Sequence, residues 1–351
     1  MTKRGTIAAS LALACAFALP GTVRAQEDAF AADLYRKARA AKETKVAFYT
    51  SMVPAQFAAL QPAWNKHYPD IAIEHVRADL GQTLERVLAE NRAKKYLADV
   101  VSNNESSYAV LQQQNLLAKF ESPSREKWIE PFKSQFNGVQ FPSRVLQIGF
   151  AVNTNKLKEA DYPRSWADLA DPKWKNRLGI PDPRVGGGAQ LWFLTMWDKP
   201  QFGEKLLTAI AANNPLVKPG IIQVQQSAEL GEIDVDVVAY DYVTLPARAA
   251  GKPLQFVLPK DGTILFVTYD SVAANAPNPN AARLFVHFLM SRDGQEALAS
   301  ALVTPVHSEA KPSPNASKLG NTPVLATTPS AEQVKNLKTY VGHMNRVFGL
   351  R

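Results

Sequence analysis

Residues 178–197 read LGIPDPRVGGGAQLWFLTMW. Leu178 to Pro181 is an apolar segment of strand length, and the apolar run from Ala189 to Trp197 predicts a helix. The glycines between them, Gly186 to Gly188, allow a tight turn because glycine adopts backbone conformations that other residues avoid. A strand that leads directly into a helix is the repeating unit of α/β proteins. The segment therefore predicts an α/β fold.

The same alternation of strand and helix extends on both sides of this segment. Lys45–Tyr49 is a short apolar strand, and Phe57, Leu60, Trp64 and Tyr68 then recur at helical spacing. Further strand candidates are Asp99–Val101, Val145–Asn153, Val235–Tyr240 and Thr263–Tyr269. The length of 351 residues suggests two domains rather than one.

The C-terminal region divides into a polar tail and a last helix. Ala310–Pro329 is rich in Pro, Ser, Thr and Asn, so we expect it to wrap over the surface. Ser330 is followed three residues later by Gln333, which is the capping-box pattern that begins a helix. This helix is predicted to present Val334 and Met344 on one apolar face.

The first twenty-five residues have the three parts of a secretory signal peptide. Lys3 and Arg4 supply positive charge, Ile7–Leu19 is an almost unbroken apolar run, and Ala25 ends the small-residue cleavage motif. The apolar run is about half as long as a helix that spans a bilayer. We therefore predict that residues 1–25 are a cleaved signal peptide and that the protein is exported.

Cys15 is the only cysteine of the chain and lies inside the predicted signal peptide. Cleavage after Ala25 leaves a mature chain without disulfides, Cys-ligated metal or a thiol nucleophile. The alternative is a lipoprotein in which Cys15 becomes the lipidated first residue, although Ala12-Leu13-Ala14 is a weak lipobox.

The charge of the chain is moderately basic and evenly spread. The formal net charge is +8, and removal of residues 1–25 leaves +5. The basic excess forms no block of like charges, which argues against a nucleic-acid groove, yet it is compatible with an anionic ligand. No second apolar run of membrane-spanning length occurs in the sequence, so we expect a soluble mature protein.

Polar residues follow the predicted strands at their carboxyl ends, where open α/β sheets bind ligands. Thr50 and Ser51 follow the first strand and offer hydroxyls and backbone N–H groups just before a helix. Asn104 and Glu105 follow the third strand in the same way. Helix capping is the alternative role for Thr50, Ser51 and Asn104, and the sequence leaves both roles open.

Arg184 and the amides of Gly187, Gly188 and Ala189 stand at the start of a predicted helix. Unpaired N–H groups and the positive end of the helix dipole at such a position suit an anion. The alternative is a tight turn without a ligand, in which Arg184 braces the glycines rather than facing a binding cleft.

Tyr240 and Tyr242 lie two positions apart at the end of a strand and therefore share one face. They either bind a ligand or pack into the core. The sequence contains no G-x-S-x-G and no H-E-x-x-H motif. A secreted hydrolase that uses Tyr240, Asp241 and Glu105 is therefore a weaker, competing hypothesis, and an adhesion or scaffold module is a third.

Several stretches occur together in a characteristic order, and they are KVAFYTS, LADVV, VLQIGFAVNTN, SWADLADPKWKNRLGIPDP, VVAYDY and AARLFVHFLMSRDGQEAL. This order resembles the periplasmic solute-binding proteins of ABC importers, in the ferric-iron-type branch of extracellular solute-binding proteins. The resemblance spans nearly the whole mature chain. Its most specific parts are Ser165–Pro183 and Ser291–Leu298.

The resemblance implies a type II periplasmic binding protein, an α/β protein with two lobes. Each lobe is a mixed sheet flanked by helices, and the ligand cleft lies between the lobes. On this chain, lobe one corresponds to residues 40–143 plus 271–351 and lobe two to residues 144–270. Strands near Arg144–Gly149 and Leu265–Tyr269 cross between them.

Two ligand classes are implied by the resemblance. Ferric-binding members commonly use two adjacent tyrosine phenolates and a carboxylate, often with a histidine after the first strand. The iron ligands implied here are Tyr240, Tyr242 and Glu105, with Tyr-Asp-Tyr in place of adjacent tyrosines, Asn104 at the position that matches the carboxylate, and no histidine after the first strand. Other members take up phosphonates and phosphorylated compounds. For an anion, the expected ligand-binding residues are Thr50, Ser51, Asn104, Arg184, Gly187, Gly188, Ala189, Tyr240 and Tyr242.

We therefore expect a solute receptor in the periplasm that serves an ABC importer. Its expected ligand is a small anionic organic solute, either a phosphonate, a phosphorylated compound or a carboxylate, and ferric iron is the alternative. The expected partners are this small molecule and an inner-membrane ABC permease, with no nucleic acid. We expect a monomer without a cofactor and without covalent chemistry, whose closed form is stabilised by the ligand.

Overall fold

The computed structural model of the protein describes residues 20–78, 80–185, 187–316 and 322–350. The predicted apolar run Ile7–Leu19 and its cysteine, Cys15, lie outside the described residues, as does Gly186 of the predicted turn. No helix within the described ranges has the length and apolar character that crossing a membrane requires.

A mixed β-sheet of ten strands forms the centre of the described structure. The strands are β1 Lys45–Thr50, β2 Ala72–Arg77, β3 Val100–Asn103, β4 Phe141–Asn153, β5 Leu178–Pro181, β6 Leu216–Lys218, β7 Val235–Tyr240, β8 Leu254–Val257, β9 Thr263–Val272 and β10 Val324–Ala326. Eight of them follow the order β2-β1-β3-β9-β4-β7-β5-β6, while β8 pairs with β4 and β10 pairs with β9.

Helices connect the strands and cover the sheet. They are α1 Pro20–Ala40, α2 Pro54–His67, α3 Leu80–Arg92, α4 Glu105–Gln113, α5 Phe132–Gln135, α6 Gly187–Asp198, α7 Gly203–Ala212, α8 Ile221–Glu229, α9 Asp241–Ala249, α10 Pro279–Met290, α11 Arg292–Ser300, α12 Ala331–Lys335 and α13 Leu337–Phe348. Most strands lead into a helix, as the alternating pattern predicts, and the chain is an α/β protein.

The two longest strands, β4 and β9, run antiparallel through the middle of the sheet, and every residue of β4 is buried. β3 ends at Asn103 opposite Tyr269 of β9. β7 ends at Tyr240 opposite Ile148 of β4, which lies opposite Ile264 of β9. Tyr269 and Ile264 are five residues apart, so the carboxyl ends of β3 and β7 face each other across about 17 Å of the sheet.

This gap separates two groups of parallel strands. β1 pairs in parallel with β2 and β3, and β5 pairs in parallel with β6 and β7. Because the carboxyl ends of both groups point towards the gap, polar side chains from both halves of the molecule meet there.

Two large apolar clusters lie beside the two strand groups. The first contains Trp64 and Phe285, whose rings meet edge to face at a centroid distance of 5.2 Å. The second contains Phe150, Trp166 and Trp192, and the rings of Phe150 and Trp166 pack in the same way at 4.8 Å. Each strand group therefore has its own core, and β4 and β9 contribute to both.

The division into lobe one, 40–143 plus 271–351, and lobe two, 144–270, stays a prediction. Within the segment predicted for lobe one, α13 packs against α7 and its Met344 is fully buried in the second cluster. A division made by packing alone would therefore place this last helix with lobe two.

The polar tail enters the sheet before the last helices begin. The segment Val324–Ala326 forms β10 and pairs in parallel with β9, so the prediction of a surface-wrapping tail is wrong for these residues. Ser330 and Gln333 form the predicted capping box. Val334 is 44% exposed, so the predicted apolar face is wrong at this position. The helix ends at Lys335 and α13 restarts two residues later, which turns Val334 away from the core.

Candidate functional site

The hydroxyl of Thr50 is used within the protein at the end of β1. Thr50 is fully buried, and its Oγ1 accepts the Met52 N–H at 3.0 Å and lies 2.7 Å from Ser102 Oγ. The hydroxyls of Ser102 and Ser143 donate to the carboxylate of Asp270 on β9. This chain of hydrogen bonds joins β1, β3, β4 and β9, so Thr50 positions the strand ends.

A buried cation, Arg144 of β4, stands beside these groups and is 3% exposed. Its Nη2 donates to Ser51 Oγ at 3.2 Å and its Nη1 donates to Gln56 Oε1 at 3.4 Å. Its Nε–H is buried and has no hydrogen-bond partner within the described ranges. Burial lowers the pKa of Arg144, and the nearby charges of Asp270 and the Tyr242 phenol oppose this effect. The guanidinium therefore has an opposite charge nearby but keeps one buried N–H group without an acceptor.

Arg77 adds a second cation to this region, and the imidazole of His75 lies nearby. Arg77 is exposed at the end of β2 and pairs in register with Thr50 of β1. The ring of His75 stacks on Phe57 at a centroid distance of 4.1 Å. Burial lowers the pKa of His75, and the positive charges of Arg77 and Arg144 lower it further, against a backbone hydrogen bond at Met52 that raises it.

Tyr242 reaches the same region from the start of α9. Burial raises the pKa of its phenol, and the charges of Arg144 and Arg77 act in the opposite direction. Its ring packs edge to face on Tyr240, with 5.7 Å between the centroids. Tyr242 thus brings a hydroxyl-bearing ring from the second strand group towards Arg144 and Arg77.

Tyr240 is buried, and its hydroxyl occupies the N-terminus of α6. The Gly188 N–H donates to this hydroxyl, and a Cβ at Gly188 would lie only 1.8 Å from Tyr240 Oη. Glycine is required at this position because any side chain would collide with the phenol. Burial raises the pKa of Tyr240, so the phenol resists ionisation. The Gly188 amide is already paired in this arrangement.

Arg184 contacts its own turn. Its Nε and Nη2 donate to the Asp182 carboxylate at 3.0 and 2.6 Å, and its Nη1 donates to Asn345 Oδ1 at 3.2 Å. The hydrogen bond to Asp182 raises the pKa of Arg184. These contacts fasten the turn to α13, while Gly187 takes a left-handed φ of 63° and Ala189 is buried in the first turn of α6.

A cavity of about 50 Å³ lies between the end of β3 and the start of α6. Asn104 and Glu105 line one side, Gly187 lines the other, and Tyr269 of β9 contributes to its wall. A second cavity of about 210 Å³ shares Glu105, Tyr269 and Thr328 with the first. The two cavities are therefore neighbours that open beside the same acidic residue.

Asn104 and Glu105 both use part of their hydrogen-bonding capacity within the protein. Asn104 Oδ1 accepts the Ser107 N–H at 3.0 Å and caps α4, and Glu105 Oε2 accepts Gln140 Nε2 at 3.1 Å. The amide NH₂ of Asn104 and the second carboxylate oxygen of Glu105 remain as donor and acceptor beside the cavity. The capping role and a ligand role are thus compatible for Asn104.

Sequence reasoning misses Arg144 and the cavity residues Thr327–Pro329. The available signal for Arg144 is a charged residue at the start of the apolar run 145–153, since a charge in a buried strand is costly unless it has a function. No local pattern indicates that Thr327–Pro329 reach the cavity, because their position depends on the pairing of β10 with β9.

Comparison with known proteins gives a family and several relatives. The family model described as bacterial extracellular solute-binding protein matches residues 95–326. An uncharacterized protein of Haemophilus influenzae is 28% identical over 238 residues, which are 65% of this chain and 67% of that protein. The major ferric iron-binding protein of Neisseria meningitidis serogroup A is 30% identical over 155 residues, 42% of this chain and 46% of that protein.

A polyamine-binding relative is also similar to part of the chain. The spermidine/putrescine-binding periplasmic protein 1 of Haemophilus influenzae is 26% identical over 216 residues, which are 60% of this chain and 58% of that protein. The matched region thus spans about half the length of the ferric iron-binding and polyamine-binding relatives.

Two solved structures have the same architecture. The Bordetella ferric binding protein has a TM-score of 0.69 and 25% identity, and the match covers 86% of this chain and 98% of that one. The periplasmic binding protein AfuA of Actinobacillus pleuropneumoniae, with fructose-6-phosphate bound, has a TM-score of 0.67 and 22% identity, with 88% and 99% covered. The type II periplasmic binding fold and the resemblance to the ferric-iron-type branch are confirmed.

Proposed function

This chain belongs to the family of bacterial extracellular solute-binding proteins, and from that premise we propose that it captures a small anionic organic solute for an ABC importer. The solute is a phosphonate, a phosphorylated compound or a carboxylate, and it binds between the two strand groups. The protein acts in the periplasm as a monomer, delivers the solute to an inner-membrane permease and performs no covalent chemistry.

The observation that carries the anionic solute is the buried guanidinium of Arg144. A charge removed from water costs several kcal/mol unless a partner compensates it. The contacts of Arg144 are the neutral oxygens of Ser51 and Gln56, and its Nε–H has none. Asp270 supplies a negative charge nearby, while its two oxygens accept the hydroxyls of Ser102 and Ser143. A carboxylate or phosphoryl oxygen of a solute would supply the missing acceptor for the Arg144 Nε–H.

The surrounding residues supplement this cation. In the proposed site, Ser51 offers a hydroxyl, Arg77 a second and exposed cation, and Tyr242 a phenol from the other strand group. Arg144 and Arg77 take the role that the sequence suggested for Arg184, because Asp182 already neutralises Arg184. Thr50, Gly188 and Tyr240 shape the site through their internal hydrogen bonds rather than through the solute.

Ferric iron is the second candidate, and it is favoured by the ferric iron-binding relatives. Its ligands would be Tyr240, Tyr242 and Glu105. For Tyr240 this requires that the phenol leave the Gly188 N–H and lose its proton in a buried position where the pKa is raised. The anion needs no such rearrangement, and for that reason we rank it first.

The hydrolase hypothesis ranks last. Its proposed acid or base, Asp241, is fully buried, and its Oδ1 accepts the backbone N–H groups of Gln147 and Tyr242 at 3.1 and 2.8 Å. These bonds tie the start of α9 to β4, which is a structural role. The proposal is therefore a receptor and not an enzyme.

The proposal is tested by a thermal-shift screen and calorimetry on residues 26–351. The solutes are inorganic phosphate, methylphosphonate, glycerol 3-phosphate, citrate, spermidine and ferric citrate, since a solute that binds only the folded state raises Tm. We expect an organic anion to raise Tm and Arg144→Met to weaken its binding at least tenfold. The matched control Arg184→Gln removes a cation that is already paired and should change affinity less than twofold.

Two results would contradict the proposal. If Arg144→Met bound the anion as tightly as wild type, Arg144 would not be the anion-binding residue and the proposal would lose its main argument. A shift with ferric citrate alone, with a visible tyrosinate absorption that disappears in Tyr242→Phe, would establish the iron receptor instead.

A further inference from the structure

The segment 322–330, which we name the C-terminal strap, forms part of the wall of the cavities. After β10, the residues Thr327, Thr328 and Pro329 line the 50 Å³ cavity together with Asn104 and Glu105. Thr328 also lines the neighbouring 210 Å³ cavity. This segment is remote in sequence from the strand ends that form the rest of the site.

The strap is anchored to the second apolar cluster on both sides of these residues. Leu325 packs against that cluster and lies close to Gly262. A Cβ added at Gly262 would lie only 2.6 Å from the Cγ of Leu325. After the strap, Gln333 Nε2 donates to the carbonyl of Leu194 at 3.0 Å and to Asp198 Oδ2 at 2.7 Å, both in α6. The strap therefore faces Asn104 and Glu105 of the first strand group across the cavity.

Thr328 has a buried hydroxyl that the protein does not satisfy. Its Oγ1 is shielded from solvent and has no hydrogen-bond partner among the residues described. A buried hydroxyl without a partner is unfavourable, so its presence in a cavity wall points to an external partner. A polar atom of a bound solute can fill this role.

The lining of the two cavities suits an uncharged polar molecule. Among the described lining residues there is no Lys or Arg. The polar groups are the amides of Asn104, Gln135, Asn137, Gln140 and Gln190, the carboxylate of Glu105 and the hydroxyls of Thr327, Thr328 and Tyr269. Phe266 adds an apolar face. Because Glu105 repels an anion, the charged end of the solute belongs elsewhere.

Arg144 lies on the same face of the sheet as one lining residue of this cavity, Phe266, whereas the lining residues Val267 and Tyr269 lie on the other face. Phe266 and Thr268 are two positions apart on β9 and share one face, and Arg144 is directly opposite Thr268. Arg144 and the cavity-lining Phe266 are therefore diagonal neighbours, about 7 Å apart along the hinge strands. One small molecule can contact both.

We propose that the C-terminal strap is the third wall of the solute site. In this arrangement the Thr328 hydroxyl binds the uncharged, hydroxyl-bearing part of a solute whose anionic end is held by Arg144. The inference rests on the proposed anion receptor and adds to it the size and polarity of the solute. A bare anion uses only Arg144, whereas the physiological solute also uses the strap.

Calorimetry with two probes tests this assignment. The probes are inorganic phosphate, which can occupy only the Arg144 end, and glucose 6-phosphate, which carries a hydroxylated body. Thr328→Val keeps the side-chain shape and removes the hydroxyl. We expect it to weaken glucose 6-phosphate about tenfold and to leave phosphate within twofold of wild type. The control Thr339→Val, on the exposed side of α13, should change neither.

Equal affinities of wild type and Thr328→Val for glucose 6-phosphate would overturn the strap assignment. If Arg144→Met then bound neither phosphate nor glucose 6-phosphate, the anion receptor would still be supported. If neither probe binds wild type, the anion receptor fails for these solutes and the strap is tested without a ligand. X-ray scattering of Thr328→Trp should then show a larger radius of gyration, because an indole between the strand groups holds them apart. The control Glu332→Trp, on exposed α12, should match wild type, and an unchanged radius for Thr328→Trp would refute the strap as a wall.

Discussion

Replacing Gly188 by alanine tests whether the Tyr240 hydroxyl occupies the N-terminus of α6. The added Cβ would lie 1.8 Å from Tyr240 Oη, 2.6 Å from its Cζ and 2.8 Å from Ile148 Cδ1. Ordinary contacts of this kind are about 3.5 Å or longer, so the phenol must move by more than 1 Å. The side chains of Tyr240 and Ile148 are both buried, and the surrounding packing resists such a shift.

The expected cost combines overpacking with a lost hydrogen bond. Overpacking of a tight core costs about 1–3 kcal/mol, and the loss of a buried hydrogen bond about 1 kcal/mol more. We therefore expect Gly188→Ala to lower the free energy of unfolding by about 2–4 kcal/mol in urea titrations. Gly81→Ala, at a position with nothing within 4 Å of the new Cβ, is the matched control and should be neutral or slightly stabilising because alanine favours a helix.

A second variant identifies the clashing group. In a Tyr240→Phe background the oxygen is absent, so Gly188→Ala should cost at least 1 kcal/mol less than in wild type, as a double-mutant cycle measures. A loss below 0.5 kcal/mol for Gly188→Ala in wild type, or no coupling with Tyr240→Phe, would refute the packing described here. Such a result would also remove the argument against Tyr240 as an iron ligand.

Three further outcomes follow from buried groups. Burial raises the pKa of Asp236 and of Asp241 to about 8, so the folded state binds more protons than the unfolded state between about pH 4 and pH 8. The free energy of unfolding should therefore fall as the pH rises through this range. Asp241→Asn should reduce this slope in urea titrations at several pH values. Met344→Ala should cost about 2–5 kcal/mol in urea because Met344 is fully buried, whereas Val334→Ala at an exposed position should cost less than 0.5 kcal/mol. Arg144→Met without solute should lower the free energy of unfolding by about 3–5 kcal/mol in urea, because Asp270 is fully buried and loses the nearby positive charge that lowers its pKa; Arg144→Met combined with Asp270→Asn should cost less than Arg144→Met alone, and an equal cost would show that the two charges do not interact.

The fold class is predictable from the sequence because each strand is a short apolar run with polar or glycine boundaries. The strand order is not, because it depends on pairings between distant segments. β9 inserts between β3 and β4 through contacts such as Val101 with Ser271, which no local pattern encodes. Strands of three or four residues, such as Leu216–Lys218 and Val324–Ala326, are too short to stand out from loops.

The location of the candidate site is also predictable, since it follows from where strands end. The role of each side chain is not. Thr50 is at a strand end as expected, but Asp270, far away in sequence, engages its hydroxyl through Ser102. Arg184 is adjacent to the glycine turn, yet Asp182 two residues earlier binds its guanidinium. Such outcomes depend on competition between polar neighbours in three dimensions.

The position of Arg144 explains how an anion could favour a closed arrangement. A solute shifts a conformational equilibrium only by the difference in its interaction with the two states. Arg144 lies on β4, a strand that contributes to both apolar clusters, with Ser51 and Gln56 on one side and Tyr242 on the other. An anion at Arg144 therefore contacts groups from both strand groups only when these are close together. In the proposed receptor, an anion that accepts the buried N–H groups of Arg144 would therefore couple solute binding to closure.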